Sequence, residues 1–129
     1  MTLVPGAGRV VEDFIAAWNR MDFDSVIAAL ADQVRYHNMP MDEVCGVAAV
    51  RDYLLGAWRF DECRWTTHHL AVADNIVLTE REDAFRFAGG WVRLPVMGTF
   101  QVEAGRISHW RDYFDLADYR RQLAAVTDK

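Results

Sequence analysis

Two aspartates and one arginine show the most informative spacing in this sequence. Arg81 and Asp83 are separated by one residue in a run rich in β-branched and aromatic residues. Asp112 follows Trp110 at the same spacing in a second such run. Because positions i and i+2 of a strand point to the same face of a sheet, Arg81 and Asp83 are predicted to share a face. Asp112 is predicted to lie between Trp110 and Phe114.

This pattern favours a buried charge cluster. The ordinary role of an aspartate on a strand is an exposed ion pair, and a carboxylate among apolar side chains is costly unless it is paired or protonated. If the two strands adjoin, the planar guanidinium of Arg81 can bridge both carboxyls. One protonated and one ionised carboxyl then form the matched acid and base that a one-step addition of water requires.

Tyr36 and Asn38 form a second candidate pair at the same spacing. A tyrosine and an asparagine just before Pro40 are also typical of a strand that ends in a turn. A phenol and a carboxamide on one face can, however, each hydrogen-bond a water molecule while Asp112 takes its proton.

The first half of the chain is predicted to be mainly helical. Apolar residues at helical spacing define the helices, and Asp22 or Asp24 is predicted to cap the second one. The predicted elements are a helix over about residues 8–20, a second helix with Val26, Ile27 and Leu30 on its apolar face, a short strand over 34–38, and a third helix after Gly46.

The second half is predicted to be an antiparallel meander. Turn signals separate four apolar runs, and Asp115 is predicted to cap a last helix that begins at Leu116. The predicted strands cover residues 64–73, 75–87, 91–103 and 106–114. We therefore predict an α+β fold, with a curved, mixed but mostly antiparallel sheet wrapped around the helices as a cone that holds a deep apolar pocket. The length of 129 residues suits a single domain over residues 1–129.

Composition restricts the kinds of partner. The net charge of −5 and the pI of about 5.2 argue against nucleic acid and against an anionic membrane surface. They fit a neutral, apolar small molecule better. We expect no metal site, because the four histidines lack a second ligand at suitable spacing on the same face.

The cellular location is expected to be cytoplasmic. The first eight residues lack a basic segment followed by a long apolar run, so no secretion signal is expected. Cys45 and Cys63 form no C-x-x-C motif, so both are expected to be reduced thiols.

Three segments resemble the limonene-1,2-epoxide hydrolase family: Tyr36-His-Asn-Met-Pro40, Leu78-Thr-Glu-Arg-Glu-Asp83, and Gly105-Arg-Ile-Ser-His-Trp-Arg-Asp-Tyr-Phe-Asp115. The likeness runs from about residue 10 to about residue 120, and the Trp-Arg-Asp-Tyr-Phe-Asp run is its most specific part. The resemblance implies the cone shared with nuclear transport factor and ketosteroid isomerase proteins. It also implies a homodimer, no cofactor, and hydrolysis of a lipophilic epoxide to a vicinal diol without a covalent intermediate.

The resemblance also assigns roles to the candidate residues. Asp83 is implied as the general acid that protonates the oxirane oxygen, and Asp112 as the general base that deprotonates water. Tyr36 and Asn38 are implied to hold that water, with Arg81 between the two carboxyls. Glu82 departs from the family pattern, because an apolar residue is expected there; strand alternation predicts that it points away from the pocket.

Two other functions fit the predicted fold. An isomerase or cyclase on the same cone could use Tyr36 and Asp83 as an oxyanion hole, although Arg81 would keep the acid ionised and unable to donate. A dimeric binding domain without activity is the second alternative, since fold alone does not establish function. A covalent ester route is not expected, because the chain has no G-x-S-x-G motif.

Overall fold

The computed structural model describes residues 6–127 of the chain, and this part contains four helices and six strands. The helices are α1 (Ala7–Asn19), α2 (Phe23–Ala28), α3 (Val47–Ala57) and α4 (Leu116–Thr127). The strands are β1 (Leu30–Asn38), β2 (Val44–Cys45), β3 (Glu62–Ala73), β4 (Ile76–Phe87), β5 (Gly90–Glu103) and β6 (Arg106–Tyr113). Most of the amino-terminal segment in which we expected no secretion signal lies outside the described residues.

The strands form one open sheet in the order β2-β1-β6-β5-β4-β3. Neighbouring strands are antiparallel except for β1 and β6, which run parallel. The predicted α+β class with a mixed, mostly antiparallel sheet is therefore confirmed. Helix α1 packs across strands β3 to β6, so one face of the sheet is covered by a helix.

An aromatic layer joins α1 to the sheet. The Phe14 ring lies edge-on to four other rings, with centroids between 5.0 and 6.3 Å away. The partners are Trp18, Trp65, Phe100 and Trp110. The Asn19 side chain at the end of α1 donates to the Trp65 carbonyl at 3.1 Å and accepts from the Trp65 N–H at 2.7 Å. This amide replaces a neighbouring strand and holds α1 against β3.

The predicted helix over residues 8–20 and the four later strands are confirmed to within two residues at each end. Two helix caps are also confirmed. Asp22 accepts a hydrogen bond from Ser25 N at 3.1 Å, and Asp115 accepts one from Asp118 N at 3.0 Å. Asp22, and not Asp24, is therefore the cap of α2.

The first half of the sheet differs from the prediction. Leu30 belongs to β1 and not to the second helix, because the Ala29 carbonyl already accepts the Ile107 N–H of β6 at 2.8 Å. Strand β1 is consequently four residues longer than predicted. Strand β2 was not predicted, because two residues are too few to show any periodicity.

Helix α4 covers an edge that would otherwise be open. Strand β6 ends at Tyr113, so the first half of β5 has no strand on that side. The Gln122 amide takes its place, since its oxygen accepts the Arg93 N–H at 2.8 Å and its nitrogen donates to the Arg93 carbonyl at 2.9 Å. Within residues 6–127, no helix combines the length and the apolar composition needed to cross a bilayer.

Candidate active site

The guanidinium of Arg81 lies between two buried carboxyl groups. Its Nε donates to Asp83 Oδ1 at 2.9 Å, and its Nη2 donates to Asp83 Oδ2 at 2.8 Å. The same Nη2 lies 3.1 Å from Asp112 Oδ1. The side chain of Arg81 is 0% exposed, and those of Asp83 and Asp112 are 5% and 7% exposed. The structure thus brings all three side chains into one ion cluster.

The two aspartates do not lie on adjoining strands, although adjoining strands were the arrangement in which we expected Arg81 to bridge them. Strand β5 separates β4 from β6, and Gly98 of β5 is paired with Thr79 on one side and Asp112 on the other. A Cβ added at Gly98 would clash with the Arg81 guanidinium and lie 2.7 Å from Asp112 Oδ1. Arg81 therefore reaches Asp112 across β5 because position 98 has no side chain.

The remaining surroundings of Arg81 fix its orientation. Its Nη1 donates to Thr79 Oγ1 at 2.9 Å, and the Thr79 hydroxyl donates to the Gly98 carbonyl at 3.3 Å. The centre of the guanidinium lies 4.6 Å from the centroid of the Trp65 ring and 5.8 Å from that of Phe100. These contacts place the cation against aromatic faces, where it is stabilised after the loss of water.

Asp112 keeps hydrogen-bonding capacity toward a ligand. Its Oδ2 accepts from Trp110 Nε1 at 3.1 Å. Its Oδ1 is close to Arg81 but outside the alignment of a hydrogen bond, and no donor within residues 6–127 bonds to it. Because Oδ1 is itself buried, the capacity to accept from a ligand lies with Oδ2, which has a second lone pair beside the bond from Trp110.

Burial changes the protonation of both carboxyls. Loss of water raises the pKa of Asp83 to about 6, despite the opposing effect of the Arg81 charge. Burial also raises the pKa of Asp112, against the lowering effects of the nearby Arg81 guanidinium and of the hydrogen bond from Trp110. Because the two groups interact, the apparent pKa values belong to the pair rather than to one residue. A single proton on this pair makes the cluster with Arg81 neutral.

Tyr36 and Asn38 lie beside Asp112 on the neighbouring strand β1. Asn38 is paired with Asp112 and Tyr36 with Trp110 in the parallel register of β1 and β6. The Tyr36 ring stacks on Trp110 with centroids 3.9 Å apart, and its hydroxyl donates to Asn38 Oδ1 at 3.1 Å. Burial, followed by the nearby Asp112, raises the pKa of Tyr36 well above 10, so the phenol stays protonated.

One cavity contains these groups. Tyr36, Asn38, Asp83 and Asp112 are all part of its wall. The other lining side chains are apolar or aromatic: Trp18, Met41, Tyr53, Leu54, Ala57, Phe60, Trp65, Phe85, Phe87, Leu94, Val96, Trp110, Phe114 and Tyr119. The structure therefore shows the predicted apolar pocket, with a small set of polar groups that converge on one part of its wall.

The family model for the limonene-1,2-epoxide hydrolase catalytic domain matches residues 5–125. The chain belongs to the limonene-1,2-epoxide hydrolase family. It is 37% identical over 116 residues to the epoxide hydrolase EphG of Mycobacterium tuberculosis, a match that covers 88% of this chain and 76% of that protein. The family predicted from the three sequence segments is therefore confirmed.

Solved structures agree with this membership. An M. tuberculosis epoxide hydrolase described as LEH-like has a TM-score of 0.80 and 34% identity, covering 95% of this chain and 96% of that one. A SnoaL-like polyketide cyclase structure from Shewanella putrefaciens has a TM-score of 0.81 but only 16% identity, covering 95% and 98% of the two chains. The second likeness shows the fold alone.

Two residues that border the ion cluster, Thr79 and Gly98, were not among the predicted site residues. Thr79 shares the face of Arg81 by strand alternation, and Gly98 lies opposite both Thr79 and Asp112 in the sheet register. A glycine inside a strand often marks a close approach of other atoms, so Gly98 carried a usable signal. Glu82, as predicted, points away from the cavity and pairs with Arg93 at 3.3 Å. Among residues 6–127 there is no group of three or more side chains suited to a metal ion.

We expect Gly98→Ala to destabilise the fold by about 1–3 kcal/mol, because the new methyl group overlaps the Arg81–Asp112 contact. Chemical denaturation of both proteins measures this difference. Gly56→Ala is the matched control, since a Cβ at this position in α3 meets no described atom within 4 Å. It should be neutral or stabilising by up to about 1 kcal/mol. Equal stability of the two variants would contradict the steric role of Gly98.

Proposed function

We propose that this protein adds water to a neutral, lipophilic epoxide, terpene-like or cycloaliphatic, and releases the vicinal diol in one step. Family membership and 37% identity to a protein named as an epoxide hydrolase support epoxide hydrolase activity. The observation that carries the mechanism is the contact of one buried guanidinium with two carboxyls on the wall of an apolar cavity.

The proposed general base is Asp112. It lies directly beside Asn38 in the strand register, and Tyr36 lies two pairs further along the same strands. Tyr36 and Asn38 hold a water molecule next to Asp112, and the carboxylate takes a proton from that water as its oxygen attacks the oxirane carbon. Fixed positions of water and base remove much of the entropic cost of the attack.

The proposed general acid is Asp83. It gives its proton to the oxirane oxygen as the C–O bond breaks, so no free alkoxide forms. Burial favours the protonated carboxyl and outweighs the charge of Arg81. After one turnover the proton lies on Asp112, and its return to Asp83 restores the starting state. Arg81 contacts both carboxyls throughout and holds them at the required separation.

The surroundings favour a neutral substrate. With one shared proton the cluster of Arg81, Asp83 and Asp112 has no net charge. Within residues 6–127 the cavity wall has no lysine or arginine side chain that could pair with an anion. An anionic substrate would lose its hydration without a counter-charge, whereas an apolar epoxide loses little.

Two expectations from the sequence remain proposals. Cys45 and Cys63 are both free, which fits a cytoplasmic location.

We also propose the homodimer that the family resemblance implies. Leu78 and Met97 are about half exposed, at 49% and 51%, on the face of the sheet away from the cavity. Light scattering on the purified protein should give twice the monomer mass of 14.8 kDa, and a monomer at micromolar concentration would contradict the dimer.

Incubation with limonene 1,2-oxide and cyclohexene oxide in oxygen-18 water should give vicinal diols. The label should enter the product on every turnover, including the first, because water attacks directly and no ester with the protein forms.

Asp83→Asn and Asp112→Asn should each lower kcat by about a hundredfold or more, the usual range for a lost acid or base. The exposed Asp61→Asn is the control for the loss of a carboxylate and should stay within twofold of the native rate.

Azide separates the two roles, since it attacks an oxirane without losing a proton. Asp112→Asn should therefore form azido alcohol when azide is supplied, whereas Asp83→Asn should not. The reverse pattern would exchange the assignment of acid and base. Absence of diol from both epoxides with the native protein would refute the proposed activity.

The pH profile of kcat/KM should fall as pH rises above about 6. Because the folded pKa of Asp83 is raised, its proton is present below that pH and is lost above it, and with it the general acid. Initial rates between pH 4 and 9 measure this limb. A rate that is constant or increasing from pH 5 to 8 would contradict the shared proton.

A further inference from the structure

Two phenol groups stand on the cavity wall outside the proposed reaction site. Tyr53 of α3 and Tyr119 of α4 both line the cavity, among side chains that are otherwise apolar. Of the three phenols on the wall, only that of Tyr36 has a hydrogen-bond partner within residues 6–127. The hydroxyls of Tyr53 and Tyr119 are therefore free to bind a group inside the cavity.

Each of these phenol rings packs against an aromatic ring that belongs to the reaction site or follows it closely in the chain. The Tyr53 ring meets Tyr36 edge-on, with centroids 5.8 Å apart. The Tyr119 ring meets Phe114 edge-on at 6.1 Å, and Phe114 follows Asp112 by two residues. Both side chains thus line the cavity that holds the carboxyls, and they come from two different helices rather than from the strands that carry the acids.

The Tyr119 phenol is a neutral donor. Burial, and then the neighbouring Tyr53, raises the pKa of Tyr119 above its ordinary value, so it remains protonated at neutral pH. The influence of Tyr53 also extends to Tyr36, whose pKa it raises as a lesser cause after burial and Asp112.

We propose that Tyr53 and Tyr119 form a second polar subsite that binds a neutral oxygen of the substrate, about one ring away from the oxirane. This inference rests on the proposed epoxide hydrolysis and narrows its substrate class to lipophilic epoxides that carry a remote hydroxyl or carbonyl group. A pure hydrocarbon epoxide would remove water from both hydroxyls and leave them without a partner. A substrate with a suitably placed oxygen restores those hydrogen bonds, which is the basis of strong selectivity in such pockets.

Binding of two unreactive ligands tests the subsite without any reaction. Limonene and α-terpineol share one carbon skeleton, and only α-terpineol has a hydroxyl remote from the ring double bond. Quenching of tryptophan fluorescence reports their binding, since three tryptophans line the cavity. In the double variant Tyr53→Phe with Tyr119→Phe, the preference for α-terpineol over limonene should weaken at least about tenfold, because two hydrogen bonds are lost. The ratio of the two Kd values measures this preference.

Tyr113→Phe is the matched control, because Tyr113 is 48% exposed and points away from the cavity. It should leave the ratio of Kd values unchanged. The same comparison is then made by kcat/KM with the 1,2-epoxides of both compounds, where the loss for the oxygenated epoxide should appear mainly in KM. A ratio of Kd values within twofold of the native one in the double variant would overturn the subsite.

The two proposals fail separately. Selective binding of α-terpineol that depends on the two phenols, without hydrolysis of either epoxide, would support the subsite and refute the proposed activity. Hydrolysis of both epoxides with no dependence on the two phenols would refute the subsite and leave the activity in place.

Discussion

Burying two carboxyls and one guanidinium away from water has a large cost in free energy for this protein. Each buried ion costs several kcal/mol, which short contacts must offset. Arg81 supplies two hydrogen bonds to Asp83 and an ionic contact to Asp112, while Thr79 and the Trp65 ring hold the cation in place. One proton on the acid pair removes the remaining net charge. The same balance is the basis of the proposal that one carboxyl acts as the acid and the other as the base.

The sheet is built so that this contact can form. Strand β5 runs between the two strands that carry the acids, and Gly98 opens a passage across it for the guanidinium. On the far side, parallel pairing of β1 with β6 sets Asn38 next to Asp112. Helix α1 closes the opposite side with an aromatic layer that reaches Trp65, which the Asn19 amide fixes in turn. The site therefore depends on contacts from six elements rather than on one motif.

Local patterns predicted the parts of this site but not their arrangement. Alternation along a strand was sufficient to place Arg81 and Asp83 on one buried face. Capping rules were sufficient to find Asp115 and to narrow the cap of α2 to Asp22 or Asp24. Alternation does not report which strands are neighbours, so the sequence left open how Arg81 could reach Asp112. The passage at Gly98 depends on the register of three strands, and register is a property of the folded sheet.

The cavity wall was predicted least well for the same reason. Tyr53 and Tyr119 belong to helices whose facing sides depend on how each helix docks, and neither stands in a motif. Leu30 shows the opposite case: an apolar residue that fits the helical pattern is taken into β1 because tertiary pairing with β6 outweighs local periodicity. Family resemblance implied the roles of the five site residues, which stay proposals, and the structure shows that their side chains lie together.

The central claim is that Asp83 and Asp112 share one proton beside Arg81, and carboxyl carbon-13 NMR during a pH titration tests it most directly. The signals of the two residues, assigned with the Asn variants, should move together, with an apparent midpoint raised to about 6 for the pair. Two independent titrations near the ordinary aspartate value of 3.8 would contradict the account, because neither carboxyl could then act as the acid.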